Sequence, residues 1–277
     1  MKTYLKLVHM EIYRFRFILL GLMALTAVVQ LLGMQMSLTK SLNDVYRRMS
    51  AEGISLSEYA ASYSKLSFGS IHSFNENLMT FPIMTCIVVL SLYIFFIWYR
   101  EWFGKSSFVY RLLMLPHPRF TLYLSKFTAI MIFVFSLVAL QVVLIALQMA
   151  MYRIRIPIEL REYNTLIQTI GMWKAVIFVP VRLQEFFLVY GIGTVFVLML
   201  FTTVLLERCY RFKGLIAGLT YTVGTVILIV WIMMMAERGG YFFYPSEFLI
   251  ASIVFMLFNA ALSLWLGRWL LRKKVTV

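Results

Sequence analysis

Few residues in this chain are of a type and spacing that could do chemistry. Gly104-Lys105-Ser106 has the ending of a phosphate-cradling loop, in which glycine backbone N–H groups and a lysine hold the phosphates. Such a loop needs another glycine five residues before Gly104 and a strand leading into it; Tyr99 stands there instead, after an apolar run. The chain therefore offers no nucleotide site of its own. His9, His72 and His117 lie in three different segments, so no paired metal-ligand spacing exists. Cys86 and Cys209 make no disulfide framework. There is no His-Glu-x-x-His and no Gly-x-Ser-x-Gly, and Asp44 is the only aspartate. Hydrolysis within a bilayer would need a metal or paired acids, so an intramembrane protease is not indicated and the chain reads as no enzyme. Glu185 and Glu247 fall at span ends and Glu207 at a boundary, leaving no mid-span carboxylate for proton coupling.

What remains is a set of amides inside apolar runs: Gln30, Gln35, Gln141, Gln148 and Asn259. Amides in such positions either line a substrate path or hydrogen-bond between helices. Gly191 and Gly193, and the small-xxx-small pair Gly214 and Gly218, fit close helix packing.

The elements that must position these residues are membrane spans. With 277 residues, 62% hydrophobic, and a mean hydropathy of +0.84, the chain has more apolar surface than a soluble domain of this length can bury. The expected fold is an all-α integral membrane protein, one domain over 1–277 with six transmembrane helices at about 17–36, 78–99, 120–151, 185–206, 214–235 and 247–267. Leu5, Val8, Ile12 and Phe15 recur at helical spacing, predicting an N-terminal interfacial amphipathic helix over 2–16. The loop 37–77 should hold two short helices broken at Gly53 and Gly69, with Ser55 and Glu58 as a capping box. Within 152–184, Leu166–Pro180 is apolar but short, and Lys174 interrupts it; a re-entrant or interfacial helix is expected. The remaining loop is 236–246. Aromatic residues gather at span ends, as in an interfacial belt.

Both termini are expected to be cytoplasmic. Sixteen of the 26 lysine and arginine residues fall before the first span, between Arg100 and Lys126, in the Glu207–Lys213 turn and in the tail, while ten fall in the longer intervals opposite. The five basic residues of 152–184 argue for a seventh span. That alternative would send the Arg272-Lys273-Lys274 tail outside. The net charge of +14 thus belongs to cytoplasmic loops facing anionic membrane lipid, not to nucleic acid.

The longest patterned interval between spans is 99–126. It carries Arg100, Glu101, Lys105, Arg111, Arg119 and Lys126, with Phe108, Leu112, Leu113 and Leu115 at helical spacing between the charges. That predicts a short amphipathic helix at the membrane surface, ended by Pro116 and Pro118.

Glu101, Gly104, the run Leu112-Leu113-Met114-Leu115-Pro116, Arg119 and Lys126 resemble the segment between the second and third spans of the ABC type 2 permeases. That family usually has several acidic residues before the glycine; here Glu101 stands alone and Lys105 follows Gly104. The resemblance implies a transmembrane subunit of an ABC exporter in the cytoplasmic membrane of a prokaryote. It would dimerise with itself or with a related permease and pair with a dimer of separately encoded ATPase subunits. ATP and Mg would be bound by that partner, and no cofactor by this chain. The coupling stretch 100–119 would dock on the ATPase, with Glu101, Gly104, Lys105, Arg111, Leu115, Pro116, Arg119 and Lys126 as its coupling residues. Glu101 would serve as an ionic hinge beside Arg100 and Lys105. Gln30, Gln141, Gln148 and Asn259 would be the candidates for the substrate path. The cargo class would be amphiphilic or hydrophobic: a peptide antibiotic, a lipid or a drug. The alternative is a membrane scaffold or immunity-type protein that binds partners or peptides through its outer loops.

Overall fold

Every apolar run long enough to cross a bilayer becomes helix. The computed structural model describes residues 2–63, 65–103, 119–162, 180, 182–237 and 245–273. In chain order the helices are α1 (Lys2–Glu52), α2 (Leu56–Ser62), α3 (Phe68–Ser73), α4 (Glu76–Phe103), α5 (Phe120–Arg155), a 3-10 turn (Ile158–Leu160), α6 (Leu183–Tyr210), α7 (Phe212–Glu237) and α8 (Pro245–Lys273). Six of them, α1 and α4 to α8, are long and apolar enough to span a membrane. The protein is a multi-pass membrane protein. Among the described residues there is no strand, only an isolated bridge between Leu66 and Arg161.

One expectation is corrected: 37–52 is helix and not loop. The expected helix over 2–16 continues without a break into the first span and beyond it, and α1 runs unbroken for 51 residues. Nothing between Lys2 and Glu52 is glycine-paired or proline, so nothing stops the helix until Gly53, whose φ of +64° takes the left-handed conformation that ends helices. At 1.5 Å per residue α1 is roughly 75 Å long, more than twice a hydrocarbon core of about 30 Å. Residues 163–179, which contain most of the expected re-entrant helix, and 104–118, which contain most of the coupling stretch, lie outside the described residues.

The chain divides into two compact units, one formed by 16–88 and 133–181 and the other by 1–15, 89–132 and 182–277. In the first, the ends of the long helices need a core of their own. Leu38 and Val45 of α1, Tyr59 of α2, Phe68 and Ile71 of α3, Tyr152 and Ile156 of α5 and Leu160 pack into one buried cluster. The Ser55–Glu58 capping box forms at the start of α2: Ser55 Oγ accepts from the Glu58 backbone N–H, and the Glu58 carboxylate accepts from Ser55 N at 2.7 Å. Tyr152 Oη donates to the Leu66 carbonyl at 2.6 Å, and Leu66 N donates to Leu160 O at 2.8 Å, pinning the loop to the end of α5.

In the second unit α6 is the central element, packed on both α7 and α8. Only Arg211 separates α6 from α7; its φ of +51° reverses the chain in a single residue. The reversal presses the start of α7 onto α6, which is why glycine stands at two places. A Cβ at Gly214 would lie 1.9 Å from Leu206 O, and one at Gly218 would lie 2.7 Å from Thr203 Cγ2. The outward faces of α7 and α8 stay apolar and exposed, as Leu219, Ile227, Leu257 and Phe258 show, and this is the surface expected to meet lipid.

Candidate functional site: a buried carboxylate between two cations

The face of α1 that turns inward near its start carries Val8, Glu11 and Phe15, all buried; Leu5, expected on the buried stripe, is 60% exposed. Spacings of three and four residues put Glu11 between two apolar neighbours on that face. Its carboxylate is 1% exposed and is met from two other helices. Arg100, in the last turn of α4, brings Nη2 to 3.0 Å from Oε2, and Lys126, in the second turn of α5, brings Nζ to 3.0 Å from Oε1. Arg14, one turn along α1, adds an Nη1 at 3.6 Å from Oε1.

Lys126 has no exposed side-chain surface. Its ammonium donates to Glu11 and to the Ile97 carbonyl, each at 3.0 Å, and lies 5.4 Å from the centroid of the Trp98 ring. A buried ammonium carries a desolvation cost of several kcal/mol, offset only when its donors are well met, as here. Below it Trp98, Tyr123 and Phe201 form an edge-to-face aromatic cluster, with Phe201 meeting the other two rings at centroid distances of 5.4 and 5.3 Å.

The same end of this unit carries two further ties. Tyr99 Oη donates to the Glu207 carboxylate of α6, and Arg208 lies over the Tyr99 ring at 4.8 Å. Arg119 donates to Leu271 O of α8 at 3.4 Å. The residues flanking the 100–119 stretch are therefore bonded to α1, α6 and α8.

Of the expected coupling residues, Lys126 and Arg119 are brought into these ties. Glu101 stands in the last turn of α4, its side chain outside what the structure describes. Gly104, Lys105, Arg111, Leu115 and Pro116 lie outside the described residues. Glu11 was not among the expected residues. Its signal was present: a carboxylate set between Val8 and Phe15, on the apolar side of an otherwise basic segment.

The four expected path amides separate into two places. Gln30, Gln141 and Gln148 lie in the unit formed by 16–88 and 133–181, each buried. Gln141 Nε2 donates to Gln30 Oε1 at 3.1 Å, and Gln30 Nε2 donates to Met79 O at 3.0 Å. A side-chain amide that donates to a backbone carbonyl of a neighbouring helix ties the two helices where no water is present. Asn259 belongs to the other unit and donates to Phe255 O of its own helix. Elsewhere a groove of about 520 Å³ runs beside α1, lined by Asn43, Tyr46, Arg47 and Ser50. No family model matches the chain, and no curated protein or solved structure matches it.

Proposed function

We propose that this chain is the transmembrane permease subunit of an ATP-driven exporter of the ABC type 2 kind. It would pair as a dimer with separately encoded ATPase subunits in the cytoplasmic membrane of a prokaryote and move an amphiphilic or hydrophobic cargo. The motif from Glu101 to Lys126 and the six membrane-length helices support the reading. One observation carries it: the two cations that flank the 100–119 stretch, Arg100 and Lys126, share the single buried carboxylate of Glu11. A stretch with firm anchors at both ends can pass a push from a partner into the spans. With both termini cytoplasmic, closure of the ATPase dimer would press on this stretch and rock the helices between inward- and outward-facing states.

Co-purification in detergent with the ATPases encoded in its own genome tests the proposal, comparing wild type with a Glu101→Ala, Arg111→Ala double variant. The expected outcome is an ATPase that comes down with the wild type and is lost, or turns over without coupling, with the variant. Failure of every such ATPase to bind the wild-type chain would overturn the reading in favour of a membrane scaffold.

A further inference from the structure

We propose that Glu11 is a positioning residue for coupling, a buried clasp through which the start of α1 moves with both ends of the 100–119 stretch; this rests on the permease reading above.

The Glu11 side chain is buried. It acts through Arg100 and Lys126, one on each carboxylate oxygen. Lys126 in turn spans two helices, its ammonium meeting Glu11 of α1 and the Ile97 carbonyl of α4. Displacing the stretch must therefore either carry α1 along or pull an ammonium from its partners in a water-poor site. The second course is expensive, because an uncompensated buried charge is left behind. The first turns α1, α4 and α5 into one rigid lever at this end. Tyr4 adds a second tie on the same face, its hydroxyl 2.5 Å from Thr128 Oγ1 of α5.

A carboxylate suits the position because each oxygen accepts from a cation. Glutamine keeps the shape but replaces one acceptor with a donor aimed at a positive group.

The test uses the full chain with its ATPase in lipid nanodiscs, with Glu11→Gln, Lys126→Met and the double variant. Thermal midpoint, ATPase affinity and permease-stimulated ATP turnover are measured for each. Glu11→Gln alone removes the negative charge that faces the buried Lys126 ammonium and lowers the midpoint; adding Lys126→Met removes that ammonium and restores much of it. Stimulation is expected to fall about tenfold in both, with ATPase affinity held, since a lost coupling contact is commonly worth that factor. A merely structural Glu11 would instead regain stimulation together with the midpoint in the double variant, and that result would overturn the proposal. If the wild type binds no ATPase, the permease reading fails, and the clasp is then read in the isolated chain. In a Tyr4→Cys, Thr128→Cys variant the two thiols are bridged by a short dithiol-reactive reagent; Glu11→Gln is expected to reduce the yield severalfold. An unchanged yield would sink the clasp as well.

Discussion

Lys126 and Glu11, 115 residues apart in sequence, meet at 3.0 Å with both side chains buried, while Arg100, on the other oxygen of the same carboxylate, is 41% exposed. The two cations should therefore differ in what they contribute. Removing Glu11 (Glu11→Ala) leaves the Lys126 ammonium buried without its counter-ion, a loss of about 3–5 kcal/mol. Arg100→Ala removes a partly hydrated partner, a loss of about 1 kcal/mol or less. Denaturant unfolding in mild detergent ranks the two; equal losses would contradict the burial difference.

The glycines of α7 offer a control within one helix. Gly218→Ala puts a methyl 2.7 Å from Thr203 Cγ2 and 3.0 Å from Thr203 Cα, so α7 must move off α6; overpacking of this kind costs about 1–3 kcal/mol. Gly224→Ala meets nothing within 4 Å and should be neutral or stabilising by about 0.5–1 kcal/mol, since alanine loses less freedom on entering a helix. Thermal midpoints of the two variants should move in opposite directions or differ clearly in size.

The amides of the spans are not equivalent. Gln30→Leu strips a donor from Met79 O and an acceptor from Gln141, and should cost about 1–2 kcal/mol. Asn259→Leu loses only a bond to its own helix and should cost less. A larger loss at Asn259 would show that it serves something other than α8 itself.

His72 of α3 is 3% exposed, and burial pushes its imidazole down to about 4 from the ordinary 6.5. Between these values the unfolded chain binds the proton that the folded chain refuses, so stability rises with pH across the window. The contribution is fully present above about pH 6.5 and is lost as the pH falls toward 4, by up to ~3 kcal/mol. Melting the protein from pH 7 to pH 4 should show this decline, and His72→Leu should flatten it. An equal decline in both would place the titrating group elsewhere.

Much of the architecture is legible residue by residue. Runs such as Phe120–Met151 leave no choice but helix in a bilayer, because every backbone polar group must find its partner within the segment. Ser55 and Glu58, three apart, announce a helix start that forms as a capping box. Gly53 marks the end of α1 because glycine enters the left-handed conformation without a Cβ penalty. Composition and periodicity are local properties, and they suffice for these.

Glu11 shows where local reading ends. Among Lys6, Arg14 and Arg16 a single glutamate has the appearance of a solvated charge, and a stripe drawn through Leu5 and Ile12 turns the helix by a fraction of its circumference. Which face is buried depends on where Arg100 and Lys126 come to rest, and those residues are 89 and 115 positions away. The same holds for Gln30, whose partners are the Met79 carbonyl and the Gln141 side chain of two other helices. By itself the sequence determined the membrane class, the number of apolar helices and several of their stops, because hydropathy and backbone preference act within a few turns. Only the tertiary structure decided that one carboxylate is buried between two cations, because burial of a charge is set by all the helices that close around it.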